Sequence, residues 1–237
     1  FVIEQATQEA IEENAAYLFP SVAQERIWQE LSKMVAYPRF DLAVVDMHRL
    51  MILKEIFPEL AHLHLQDLRH RVAPFSHFPK QTPTLLYLAQ LLEGLELEEK
   101  ITAAKRISAP NREIRLMEHM HGLFPLLKQP LKRDVKTIYL LAHSGTDLGV
   151  KIFTAMLNPG EREQFLGAVH QFFLDNQGHI DRAKEKRSLI SAADLIKKGM
   201  VPGKEMGGVL KLAEKIAIEN NYKTKEEVFR CLPPFKA

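Results

Sequence analysis

The sequence predicts an all-α protein, an elongated array of many helices, on three observations. Apolar residues recur at spacings of three and four over long stretches, the period of one helical face. No stretch alternates with the period of two that a half-buried strand shows, and there is no Asn-Gly or Asp-Gly hairpin turn. Thirteen prolines against eleven glycines punctuate the chain at intervals suited to helix, short loop, helix.

Taken in order, "IEQATQEAIEENAAYL" places Ile3, Ala6, Ala10, Ile11 and Ala15 near one face with acids opposite, an amphipathic first helix. In "PSVAQERIWQELSKMV", Ser21 is placed to cap a second helix with Gln24 as its capping-box partner. Val22, Ile27, Leu31 and Met34 or Val35 form its apolar stripe. The segment "RHRVAPFSHFPKQTP" (69–83) carries three prolines and no helical stripe, and predicts a joint. A second joint is expected at the polar "DNQGHIDRAKEKR" (175–187). The expected domains are therefore 1–72, 73–178 and 179–237.

The chain has 237 residues, 46% of them hydrophobic, enough for one large or two small cores. No apolar run is long enough to span a bilayer and none follows a basic start as in a signal peptide, so no membrane association is expected. The single cysteine, Cys231, lies in no metal-ligand spacing; it is expected to be a small half-buried residue in a reducing compartment, the cytoplasm. Net charge is only +2, but it is unevenly placed: −6 over residues 1–100, +3 over 101–179 and +5 over 180–237. A polyanion should meet the C-terminal part.

Several chemistries fail on spacing. There is no GxxxxGK[ST], no GxGxxG, no CxxC and no GxSxG. Ten histidines include His62-x-His64 and His119-x-His121, yet residues two apart on a helix point about 200° apart and cannot share an ion. No metal site and no catalytic residue is predicted. An HD-type phosphohydrolase needs an adjacent His-Asp pair, which the sequence lacks.

The N-terminal residues carry a resemblance. Phe1, Ile3, Thr7, Ala10 and Ile11, followed by Arg26, Ile27, Glu30, Leu31 and Lys33, are similar to F-x-I-x-x-x-T-x-x-A-I and then R-I-x-x-E-L-x-K of class II tRNA nucleotidyltransferases (CCA-adding enzymes) and bacterial poly(A) polymerases. "KEIFPEL" (54–60) resembles a Phe-Pro-Glu helix ending of that family, and "AAKRISAPNREIRLMEHM" (103–120) a segment leading into a long helix. Glu93-Gly94 stands where some members carry a His-Asp pair. The tail resembles D-L-x-x-x-G-x-x-P-G-x-x-x-G-x-x-L through Asp194, Leu195, Gly199, Pro202, Gly203, Gly207 and Leu210, with Ala192 in place of a preceding glycine. Physically, Gly199 suits a helix C-cap, and Pro202 sits just ahead of a helix whose first N–H groups, with Lys197, Lys198 and Lys204, would attract phosphate.

The family's chemistry needs a head domain with an Asp-x-Asp pair and a Glu-Asp-x-x-Arg helix, and neither pattern occurs here. The resemblance therefore implies neck, body and tail without the catalytic front, inactive alone, with Mg and ATP or CTP belonging to the parent enzyme's head. It implies an RNA-holding function, with tRNA favoured because no long basic C-terminal extension follows. The expected RNA contacts are Lys184, Lys186, Arg187, Lys197, Lys198, Gly203 and Lys204. Arg26, Glu30 and Lys33, neighbours on one helical face, would brace the nucleotide-binding helix of the neck. The competing expectation is an all-helical protein-interaction scaffold.

Overall fold

A computed structural model describes residues 3–234, the side chain of Pro20 excepted. Phe1, the first position of the N-terminal pattern, lies outside the described residues. No strand occurs among the described residues, and the chain is all-α. It divides into two compact units, residues 1–121 and 122–237.

The first unit begins with α1 (Gln5–Asn14), which buries no side chain fully: of the expected face Ile3 and Ile11 are half-buried, Ala6 and Ala10 are exposed, and Ala15, just past the helix, is buried. A 3-10 turn (Ala15–Tyr17) and the short α2 (Leu18–Ser21) lead to α3 (Gln24–Val35). The expected cap is corrected here: the N-cap of α3 is Ala23, with no side-chain acceptor, because Ser21 still belongs to α2. Ile27 and Leu31 are buried as the stripe predicts. Then follow α4 (Phe40–Arg49), α5 (Ile52–Ile56), α6 (Leu65–Val72), α7 (Thr84–Leu91), α8 (Leu97–Arg106) and α9 (Asn111–Leu127).

The segment 69–83 is not a free joint. It forms the end of α6 and a 3-10 helix (Ala73–His77), and its Phe75 and Phe78 join Phe40 and Tyr87 in an aromatic cluster with ring centroids 5.0 to 5.7 Å apart. The prolines that end helical periodicity thus place two large rings in the core. Two segments flagged by the resemblance are tied together: the Arg106 guanidinium bonds Glu59, with Nη1 3.0 Å from Oε2, and also donates to the Ile56 carbonyl at 3.3 Å. Glu113 of α9 accepts from the Leu85 amide at 2.9 Å, serving the N-terminus of α7, whose own N-cap is Pro83 and has no side-chain acceptor.

The second unit holds the last turn of α9, where Pro125 lies inside the helix instead of ending it. After it come α10 (Val135–Leu141), α11 (Thr146–Met156), α12 (Pro159–Lys184), α13 (Ala192–Lys197), α14 (Glu205–Glu219) and α15 (Lys225–Cys231). The expected joint at 175–187 is helical through Lys184, because Asn176, His179, Ile180 and Ala183 form a buried stripe at spacings of three and four. Residues 189–232 have their own core: Ile190, Leu195, Met200, Ala213, Ala217 and Val228 are buried, with Leu210, Tyr222 and Phe229 packed against them. Cys231 is exposed, not half-buried, and its Sγ is 3.4 Å from the Tyr222 hydroxyl.

Candidate functional site

The tail turn forms for local reasons. Ser191 and Asp194 make a capping box on α13: the Asp194 amide donates to Ser191 Oγ at 3.3 Å, and the Ser191 amide donates to Asp194 Oδ2 at 2.9 Å. The ammonium of Lys225, 2.7 and 2.8 Å from the two carboxylate oxygens, together with the Ser191 bonds, holds the Asp194 carboxyl far below the usual carboxylate range. At the other end, the Gly199 amide donates to Ile196 O (2.9 Å) and the Met200 amide to Leu195 O (3.0 Å), with Gly199 at φ +93°. This is a Schellman ending, and its apolar clasp is Leu195 against Met200 in the tail core.

Most of the tail pattern is thereby explained by folding: Asp194 caps, Leu195 and Leu210 pack, Gly199 turns. Gly203 and Gly207 differ, since neither has the positive φ of Gly199 and a Cβ at either would meet nothing within 4 Å. Both are exposed, and Lys204 is the N-cap of α14 with no side-chain acceptor of its own. Glu205 occupies the first turn of α14, so one carboxylate shares this end with Lys204.

The predicted contact residues are all exposed and fall into two groups. Lys184, Lys186 and Arg187 stand at the end of α12; Lys197, Lys198, Gly203 and Lys204 surround the α13–α14 connection. Lys184 lies 3.8 Å from Asp181, Arg187 pairs with Glu185, and Lys198 stands 5.3 Å from the Phe229 ring centroid. Among the described residues, Lys186, Lys197 and Lys204 take part in no ion pair. On α3, Lys33 Nζ is 2.8 Å from Glu30 Oε1, which lowers the Glu30 pKa; Arg26 is exposed on the same helix, away from Ile27 and Leu31.

His62 and His64 are not helical. They stand in the turn before α6 and, with His48, Arg49 and Lys54, line an open cavity of about 630 Å³. The helical argument against a shared ion therefore does not apply to this pair. No group of three His, Cys, Asp or Glu among the described residues could hold a metal ion.

Sequence reasoning missed a polar cluster buried beside the tail. Asn176 and His179, 1% and 0% exposed, project from α12. Arg133 Nε donates to Asn176 Oδ1 at 2.6 Å, and Asn176 Nδ2 is anchored on Phe172 O at 2.8 Å. Arg182 Nη2 lies 2.6 Å from His179 Nδ1, and His179 Nε2 lies 3.0 Å from Asn221 Oδ1. Since arginine can only donate, His179 accepts at Nδ1 and carries its proton at Nε2, donated to Asn221. Burial pushes the His179 imidazole down to about 4, and the charges of Lys223, Arg182 and Arg133 push the same way. The signal for this cluster was in the sequence: residues 176, 179, 180 and 183 share a helical face, but polarity disguised it as loop.

Residues 1–63 match the family described as "Probable RNA and SrmB- binding site of polymerase A". No curated protein matches the chain in sequence. The fold is similar to a solved structure of a CCA-adding enzyme in complex with ATP, with a TM-score of 0.60 and 18% identity over 97% of this chain. The matched portion is 55% of that enzyme chain, so this chain spans little more than half of its length. The family match is confined to those N-terminal residues, and the likeness to the CCA-adding enzyme is one of fold.

Proposed function

We propose that this chain is the RNA-holding portion of a tRNA nucleotidyltransferase or poly(A) polymerase relative, gripping tRNA or another RNA 3′ region for nucleotide addition by a head domain. The observation that carries the reading is the exposed surface at the tail turn and at the end of α12, where Lys197 and Lys204 in the one and Lys186 in the other take part in no ion pair among the described residues and Gly203 and Gly207 leave open space above the backbone. Lysines on a surface of this kind neutralise phosphates and release counterions, and an uncovered glycine lets a sugar-phosphate strand approach closely. Duplex RNA is recognised mostly through shape and backbone, so little base preference is expected.

In this reading residues 1–72, 73–178 and 179–237 act as neck, body and tail, roles carried by stretches of the two compact units and not by three separate domains. The exposed Arg26, Glu30 and Lys33 face of α3 braces the nucleotide-binding helix, while Mg and ATP or CTP belong to the head. Cytoplasmic placement accords with this role; no helix among the described residues is long and apolar enough to cross a membrane.

The test is a filter-binding titration of a hairpin RNA at low salt with Lys197→Glu/Lys198→Glu. Affinity should fall about tenfold or more, the loss of at least one charge-assisted phosphate contact. Unchanged affinity in a variant with unaltered melting would remove these lysines from the interface. The description of the family matched by residues 1–63 names SrmB beside RNA, which keeps a protein-docking role for the incompletely buried face of α1 as the second reading. A chain that ignores RNA at low salt yet retains a stable protein partner would favour it.

A further inference from the structure

We infer that Arg133, Arg182 and Lys223 form a second phosphate-binding subsite, built on the buried Asn176–His179–Asn221 scaffold and occupied by a phosphodiester of the bound RNA. The inference deepens the RNA-holding reading and rests on it.

A structural arginine near a protein interior is ordinarily matched by a carboxylate, since an uncompensated charge costs heavily on desolvation. Here the partners are neutral: the Asn176 amide oxygen for Arg133 and the His179 imidazole nitrogen for Arg182. These acceptors fix the direction of each guanidinium without cancelling its charge. Arg182 Nε is buried and has no hydrogen-bond partner among the described residues.

Lys223 completes the set from the turn between α14 and α15. That turn is held by Asn221, at φ +57° in the Schellman ending of α14, the same residue that receives the His179 proton. Burial lowers the Lys223 ammonium pKa, and the charges of Arg133 and Arg182 lower it further, so the three cations feel one another.

Carboxylates on the same elements are committed elsewhere. Asp134 accepts from the Thr137 amide, Glu214 from the Leu189 amide, and Glu227 from the amides of Lys223 and Thr224. None forms an ion pair with Arg133, Arg182 or Lys223 among the described residues. Two guanidiniums with fixed donors and a nearby ammonium, none of them ion-paired among the described residues and only Lys223 feeling a carboxylate, Glu227, from beyond ion-pair distance, are complementary to a phosphate, whose oxygens accept from planar guanidinium forks and whose charge offsets the repulsion. Arg133 and Arg182 would supply the geometry, Lys223 the mobile charge.

The test uses the full chain and a hairpin RNA with a duplex stem, titrated by filter binding across a salt series. Lys223→Gln and Arg133→Gln should each weaken binding about tenfold and reduce the slope of log affinity against log salt by about one. Lys151→Gln on α11, where the lysine is paired with Asp147, should change neither. Lys223 donates no side-chain hydrogen bond in the scaffold, so its variant decides the matter if Arg133→Gln melts early. Folded variants with wild-type affinity and slope overturn the subsite and leave the tail lysines as the interface. Failure of the wild-type chain to bind RNA at low salt overturns the RNA-holding reading and the subsite with it.

Discussion

Lys186 sits in a conformation that its side chain disfavours. It is the left-handed residue at the end of α12, at φ +53°, with its amide donating to Ala183 O and the next amide to Arg182 O. A β-carbon in this region costs on the order of 1 kcal/mol that glycine avoids. Lys186→Gly should therefore raise the melting temperature while lowering RNA affinity, a split that mere loss of structure cannot produce; a melting temperature that falls would refute the strain argument. Glu59 is the converse case, a residue whose chemistry fits its place. The Arg106 hydrogen bond holds its carboxyl below the ordinary 4.5, so the pair contributes stability above that pH and loses it as pH falls through the lower folded value. Glu59→Gln should cost roughly 1–2 kcal/mol at pH 7 and should remove part of the acid sensitivity below pH 4.5, as seen in denaturant midpoints.

At the scale of the element, the tail pattern separates into residues that fold and residues that face outward. Gly199 at φ +93° should not tolerate a side chain: Gly199→Ala is expected to destabilise by about 1–2 kcal/mol. Gly203 has open space where a Cβ would go, so Gly203→Ala should leave melting nearly unchanged but reduce RNA affinity if a backbone passes over it. Equal melting losses in the two variants would mean that both glycines serve the fold alone. The glycine C-cap, the α3 stripe and the all-helical class were legible because each rests on local spacing or backbone preference. The cap of α3 was not, since Ser21 is claimed by a preceding helical turn that only tertiary contacts create. Nor was the packing of 69–83: its prolines break periodicity, while Phe75 and Phe78 find their partners Phe40 and Tyr87 at distant positions. The missed Arg133 and Lys223 likewise come together only through contacts remote in sequence.

Across the whole molecule, charge and pH act in distinct windows. The surplus of −6 over residues 1–100 against +5 over residues 180–237 makes the C-terminal part the natural seat of a polyanion. That surplus also raises the cost of adding positive charge there, and His179 is where acid would add it. Its folded pKa of about 4 lies below the ordinary 6.5, so on acidification the unfolded chain takes up this proton first. Stability from this residue is complete above pH 6.5 and declines as pH falls toward 4, by up to about 1.4 kcal/mol per pH unit. Glu59 begins to lose its contribution only below 4.5, which keeps the two effects separable. Denaturant midpoints measured from pH 7 to 4.5 should fall in the wild-type chain, and the fall should flatten in His179→Gln, whose amide cannot take up a proton. A phosphate between Arg133, Arg182 and Lys223 would favour the protonated imidazole, so RNA should also reduce the acid loss in the wild type and have no such effect in Lys223→Gln. Identical pH profiles for wild type and His179→Gln would mean that folding leaves the proton affinity of this imidazole unchanged, with the Arg182 contact arranged differently from the donor geometry seen here.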